Sequence, residues 1–229
     1  MNFGFIREAL PQVLAAVPVT LEMAVLATVA GWILGILIAV VRRNHIPVVS
    51  QICAVFVSFI RGVPMVILLY VSYYALPMMI YSATGIDTTS IPAIWYAIVA
   101  LSLDQAAYSS EVFRAALDSV NRGQLEAAWS VGMTTWQAMR RIIFPQAMAV
   151  ALPNLSGLFI GIIRGTALAY YVGVYEITAT ANLLATPGLN FIEAYVMTTL
   201  IYELISFICN RLFGSAENRL NRFRPKTAV

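Results

Sequence analysis

Five long apolar blocks dominate this sequence, and each is long enough to cross a lipid bilayer, which takes about 20 mostly apolar residues. They fall at about 13–41, 48–77, 91–117, 146–172 and 189–213. A backbone inside lipid must satisfy its own hydrogen bonds, so blocks of this length can only be helices. The expected fold class is therefore an all-α integral membrane protein with five transmembrane helices in a single domain over 1–229. Composition agrees, since 60% of the 229 residues are hydrophobic and only 11% are charged, about half the charge of an ordinary soluble domain.

The positions of the charges orient the bundle. Arg42 and Arg43 follow the first block, while Arg114, Arg122, Arg140 and Arg141 surround the gap between the third and fourth. Arg211, Arg219, Arg222, Arg224 and Lys226 close the chain, whereas the links at 81–90 and 173–188 hold no lysine or arginine, only Asp87 and Glu176. Basic loops mark the cytoplasmic side, which puts the amino end outside and the carboxyl end in the cytoplasm. The basic tail from Arg219 to Lys226 reads as a lipid-headgroup contact rather than a nucleic-acid site.

Several chemistries are disfavoured. Cys53 and Cys209 are far apart, and the single histidine, His45, sits in a short polar link. Neither a metal site nor a hydrolase triad is expected from such a set. A phosphate-binding P-loop needs a lysine after a glycine-rich turn, yet the only lysine is Lys226 in the tail. No cofactor is expected on the chain, and any ATP-driven work would fall to another protein.

Between the third and fourth blocks, at about 118–145, lies "RGQLEAAWSVGMTTWQAMRRIIFPQ" (122–146). Leu125, Trp129, Gly132, Trp136, Met139 and Ile143 recur there at steps of three and four, the spacing of one helical face. Such a segment suits either an interfacial helix resting on lipid or a dock for a cytoplasmic partner.

The pattern Glu126-Ala127-Ala128, then Gly132, then Ile142-Ile143-Phe144-Pro145 resembles the "EAA" loop of ABC-importer permeases. "RGVPMVILLYVSYYALP" (61–77), "YSSEVFRAALDSVNRGQLEAA" (108–128) and "TLEMAVLATVAGWILG" (20–35) are similar to stretches of the polar amino-acid permease group. The resemblance implies a type I ABC importer permease fold in a bacterial cytoplasmic membrane. Its partners would be membrane lipid, a second permease subunit (a copy or a paralogue), a cytoplasmic ABC ATPase dimer carrying ATP and Mg, and an extracytoplasmic amino-acid-binding protein. It places ATPase coupling at Gly123, Glu126, Ala127, Ala128 and Gly132. Glu126 would meet basic groups, the alanines would keep the contact close, and Gly132 would turn the chain between two short helices. An ATP-independent secondary transporter or channel is the competing reading.

Ionisable groups at bilayer depth are costly unless paired or facing water. Arg61, Asp104, Arg164 and Glu203 fall near mid-block. They are expected either to pair with one another or to line a path, where a cation would meet an α-carboxylate and an anion an α-ammonium. Asp104, Tyr108 and Glu111 share a helical face, and Thr166 lies beside Arg164. Many members of the group carry Lys-Asp-Thr-Ser where this chain has Arg164-Gly165-Thr166-Ala167, often asparagine at Asp104, and often proline at Asn121, a change expected to matter little. Loss of that acidic group argues against a cationic substrate and favours a neutral polar or sulfur-containing amino acid, such as cystine or glutamine.

Overall fold

The computed structural model describes residues 2–221, all of whose regular structure is helical. Arg222, Arg224 and Lys226 lie outside the described residues. The chain opens with α1 (Phe3–Ala15), capped by the Asn2 side chain, whose Oδ1 accepts from Phe5 N at 3.1 Å. Pro18 sits in the first turn of α2 (Val17–Arg43), where its missing N–H is tolerated. The first apolar block thus begins inside one helix and continues through a second.

The block expected at 48–77 is not one helix. A residue before proline is driven out of the helical region; Val63 is extended at ψ 131°, and Pro64 ends α3 (Val49–Gly62). The chain restarts as α4 (Met65–Tyr70), widens through a π-helical turn at Val71–Ala75, and continues as α5 (Leu76–Thr84). A second π-helical turn, Met139–Ile143, leads into α9 (Phe144–Gly165). In both places the second residue of the following helix is proline, Pro77 or Pro145. The widened turn gives room to the carbonyl that the ring would otherwise strike.

Central to the bundle is α6 (Ala93–Asp118). Against it α2 sets a stripe of small residues, Ala24, Ala27, Gly31, Gly35 and Ala39, all buried. A Cβ on Gly31 would lie 2.6 Å from Gln105 Cβ and 3.0 Å from the Ser102 carbonyl, so glycine is what permits this backbone separation. Gln105 Nε2 reaches Thr28 Oγ1 at 3.4 Å, and Ser109 Oγ reaches the Gly31 carbonyl at 3.4 Å.

The link after α6 carries two short helices, α7 (Gly123–Ser130) and α8 (Thr135–Ala138). Beyond α9, a 3₁₀ stretch at Thr166–Val172 ends at Gly173 (φ 81°); α10 (Ile177–Ala185) and α11 (Phe191–Leu220) follow. Helix α9 ends at Gly165, short of the expected 172, and α11 runs on to Leu220, past the expected 213. Met23, Leu69, Leu101 and Ile163 form a core where α2, α4, α6 and α9 meet, and Val13, Ile177 and Met197 join α1, α10 and α11.

By length and composition, four stretches of the described residues can cross a membrane: Phe3–Arg43, Met65–Thr84, Thr135–Val172 and Phe191–Leu220. Helix α3 is apolar but short. Helix α6 falls outside the set because Asp104, Glu111 and Arg114 interrupt it along with several serines.

Candidate functional site

Two places concentrate the residues singled out above. One is the α7–α8 segment. Asn121 Oδ1 accepts from Gly123 N at 2.8 Å and fixes the entry to α7, so asparagine at this position has a clear structural use. Helix α7 ends at Ser130 with Val131 as its cap, and Gly132 turns the chain at φ 79°, a left-handed conformation that favours glycine. Thr134 and Gln137 then form a reciprocal capping box for α8.

Because of this turn, the six residues spaced at three and four do not share a single helix face. Trp129 (49% exposed) and Trp136 (74%) stand on separate short helices, and Ile143 is buried in the core beyond them. Glu126 and Ala127 are exposed on α7. Ala128 is turned inward, at 2% exposure, as is Ala138 on α8. Ala128 therefore sets how closely the segment packs on itself.

The other place is a cavity of about 530 Å³ at the break between α3 and α4. Arg61, Gly62 and Pro64 form one wall, Asp104, Gln105 and Tyr108 of α6 a second, and Gly157, Gly161 and Gly165 of α9 a third. The glycines recur every four residues on one side of α9. A Cβ on Gly157 or Gly161 would meet nothing within 4 Å, so these glycines enlarge the cavity rather than tighten a contact. The Arg61 guanidinium stands 5.2 Å from the centre of the Tyr108 ring. Among the described residues, Arg61 has no carboxylate partner, and Asp104 has neither an ion pair nor a side-chain hydrogen bond.

The remaining expected site residues lie elsewhere. Arg164 Nη2 pairs with Glu203 Oε2 at 3.0 Å, joining α9 to α11 away from the cavity lining. Thr166 is fully buried, and its hydroxyl donates to the Ile163 carbonyl at 2.7 Å. Glu111, on the same face of α6 as Asp104, turns to Arg42 and Arg114 instead. So the four mid-block charges divide: one pair neutralises itself, and the other two stand at one cavity.

Glu176 was visible in the sequence only as a lone acid in a link, yet it is fully buried. Tyr202 Oη donates to its Oε2 at 2.5 Å, Ala179 N to its Oε1 at 2.9 Å, and Thr20 Oγ1 lies 3.5 Å from Oε2. Burial pushes its carboxyl above the ordinary glutamate range, against the opposing pull of the Tyr202, Ala179, Thr178 and Thr20 hydrogen bonds. The acid thus ties α2, α10 and α11 together beside the link.

The family profile described as "Binding-protein-dependent transport system inner membrane component" matches residues 27–222. The chain belongs to this family. A probable amino-acid ABC transporter permease protein, PatM of Vibrio harveyi, is 41% identical over 221 residues, covering 96% of this permease and 97% of the relative. A probable amino-acid permease protein, YxeN of Bacillus subtilis, is 38% identical and covers 97% of both chains. The L-cystine transport system permease protein TcyL of Bacillus subtilis is 33% identical over 96% of this chain and 92% of its own. Among solved structures, an amino acid ABC transporter crystallised with histidines superposes with a TM-score of 0.82 at 28% identity, covering 96% of this permease and 99% of that chain.

Proposed function

We infer that this protein is the membrane-spanning permease subunit of an ATP-binding-cassette importer for a polar amino acid. The observation that carries the substrate class is the cavity where, among the described residues, Arg61 stands without a carboxylate partner and Asp104 without a cationic one. An α-amino acid presents a carboxylate and an ammonium at one carbon. A guanidinium on one wall and a carboxylate on another answer those two charges. Neither protein charge then has to be held at bilayer depth without a counter-ion for longer than the cavity stays empty. A neutral polar or sulfur-containing side chain, as in glutamine or cystine, would lie along the glycine wall; the relationship to an L-cystine permease supports the sulfur-containing choice.

The bundle crosses the membrane five times in this reading. Helices α1–α2, α3–α5, α6, α9 and α11 supply the crossings, with the amino end outside and the carboxyl end in the cytoplasm. The pairing of Arg42 and Arg43 with Glu111 and Asp118 supports this path, because it brings the ends of α2 and α6 to the same side. The α7–α8 segment docks the ATPase dimer, with Glu126 and Ala127 outward and Trp129 and Trp136 available to a groove. ATP and Mg are bound by that ATPase. A second permease subunit and an extracytoplasmic binding protein complete the importer, placed in a bacterial cytoplasmic membrane.

The test is purification of the chain from its native membrane in mild detergent, followed by identification of co-purifying proteins. A P-loop ATPase recovered with the wild type and lost with Glu126→Lys is the expected outcome. Recovery of the chain alone, with amino-acid uptake persisting in ATP-depleted vesicles, would establish the ATP-independent reading instead. Substitutions Arg61→Gln and Asp104→Asn should each lower uptake of the transported amino acid while leaving the ATPase bound. Uptake unchanged in both would remove the cavity from the path.

A further inference from the structure

The ends of α2 and α6 nearest the α7–α8 segment are joined by five charged side chains in a regular order. Glu111 places one oxygen against Arg42 Nη1 at 2.5 Å and the other against Arg114 Nη2 at 2.7 Å. Asp118 does the same about two helical turns further on, with Oδ1 3.2 Å from Arg43 Nε and Oδ2 3.5 Å from Arg114 Nη1. Each carboxylate of α6 therefore bridges an arginine of α2 to the shared Arg114. Arg42 and Glu111 are largely sheltered, with 18% and 24% of their side chains exposed, which reduces screening of the innermost rung.

Placement gives the arrangement its meaning. Asp118 is the last residue of α6, and only a short turn held by Asn121 separates it from α7. On its other side the ladder runs directly into the stretch where Gly31 and Gly35 bring the backbones of α2 and α6 together. Farther along α6, Asp104, Gln105 and Tyr108 line the cavity. A displacement entering through α7 meets the ladder first, then a tightly packed helix pair, then the cavity wall. Close-packed elements of this kind shift as units rather than deform continuously.

We propose that Arg42, Arg43, Glu111, Arg114 and Asp118 are positioning residues that couple movement of the α7–α8 segment to α2, so that the nucleotide cycle changes access to the cavity. The ladder extends the Gly31–Gly35 contact to the ends of the two helices; without it, the push would move the last turns of α6 before those of α2 and reach the packed seam weakened. This rests on the reading of α7–α8 as the ATPase dock.

The test uses the full permease bound to its ATPase in lipid nanodiscs, compared without nucleotide and after turnover of ATP in the presence of vanadate, with no amino acid added. Cys53 and Cys209 are replaced by serine, and Gly157→Cys reports cavity access through its rate of labelling by a water-soluble maleimide. Trapping the ATPase with ADP and vanadate should change that rate by about tenfold, within the range of ordinary coupling between sites. Glu111→Gln and Arg42→Gln should keep the ATPase bound and hydrolysing while losing most of the change. Arg42→Lys, which preserves the charge, should retain it.

An undiminished change in both glutamine variants would overturn the proposal. So would equal losses of ATPase activity and labelling response in all three, Arg42→Lys included, since that is the behaviour of a rung needed only for folding. If a glutamine variant fails to assemble, Arg43→Gln on the more exposed rung is read by the same criteria. Failure of the docking assignment looks different: the unaltered chain would not retain the ATPase, or would retain it despite Glu126→Lys.

Discussion

At Gly35 an added methyl group would run into Ser109 Oγ and lie 3.1 Å from the Ser110 amide and 3.2 Å from the Ala106 carbonyl, whereas at Gly161 it would meet no atom within 4 Å. The same residue type therefore closes one helix pair and opens a cavity between others. Overpacking of a tight contact costs about 1–3 kcal/mol, so Gly35→Ala should lower the thermal midpoint of the detergent-solubilised protein, measured by tryptophan fluorescence. Gly161→Leu should leave that midpoint close to wild type and reduce amino-acid uptake. Glu176 supplies a second contrast at this scale. Its folded pKa is raised above the ordinary value of 4.5, so its favourable contribution to stability is complete below that value and is lost as pH rises through the higher folded one. Titrating thermal stability from mildly alkaline to acidic pH should show a rise on acidification that Glu176→Gln removes. The same slope in both proteins would mean that the buried carboxyl does not titrate in this range. Nothing in local spacing disclosed this residue, because its partners Thr20 and Tyr202 come from helices remote in sequence.

Among the elements, the α7–α8 knuckle shows both the reach and the limit of sequence reasoning. Glycine at 132 pointed to a turn, and the chain does turn there, at φ 79°. The apolar spacing around it pointed to one continuous face, which that very turn divides. Periodicity presumes an unbroken helix, so it fails wherever a left-handed residue intervenes. The resemblance implies that Ala128 keeps a partner contact close, whereas its burial within the chain depends on how α7 folds back on its neighbours. A proline inside an apolar block interrupts its helix wherever it falls; that the break at Gly62-Val63-Pro64 opens a cavity depends on α9 presenting three glycines opposite. A side chain with a Cβ in the left-handed region costs about 1–2 kcal/mol. Gly132→Val should accordingly misdirect α8 and weaken ATPase retention in co-purification, while the membrane helices keep their circular dichroism signal. Full retention would show that the turn angle is immaterial to docking.

Taken whole, the molecule separates charges that cancel within the chain from charges that wait for something else. Arg164 and Glu203 belong to the first kind, although 55% and 70% of their side chains are exposed on the single chain. Breaking one partner of such a pair strands the other, while removing both need not destabilise. Arg164→Leu and Glu203→Leu should therefore each reduce the yield of folded protein from membranes, and the double substitution should recover part of the loss. Additive losses would show that the two groups act independently. The all-helical class was legible from the length of the apolar blocks, and the composition agreed with it. The pairing of Arg42 with Glu111 was not, since a contact spanning 69 positions leaves no local signature.

The polarity of α6 bears finally on how the protein is made. A nascent helix enters lipid from the translocation machinery according to its own apolarity, and α6 is less apolar than the stretch Phe3–Arg43 that contains α2. During synthesis α2 emerges well before α6, with its small-residue stripe uncovered. If α6 crosses the membrane as proposed, an α2 that stayed near the insertion site until its partner arrived would be a template for the later, more polar segment. On this view the Gly31–Gly35 seam is needed before transport ever begins, and damage to it should appear first as chains degraded at the membrane rather than as a slow importer.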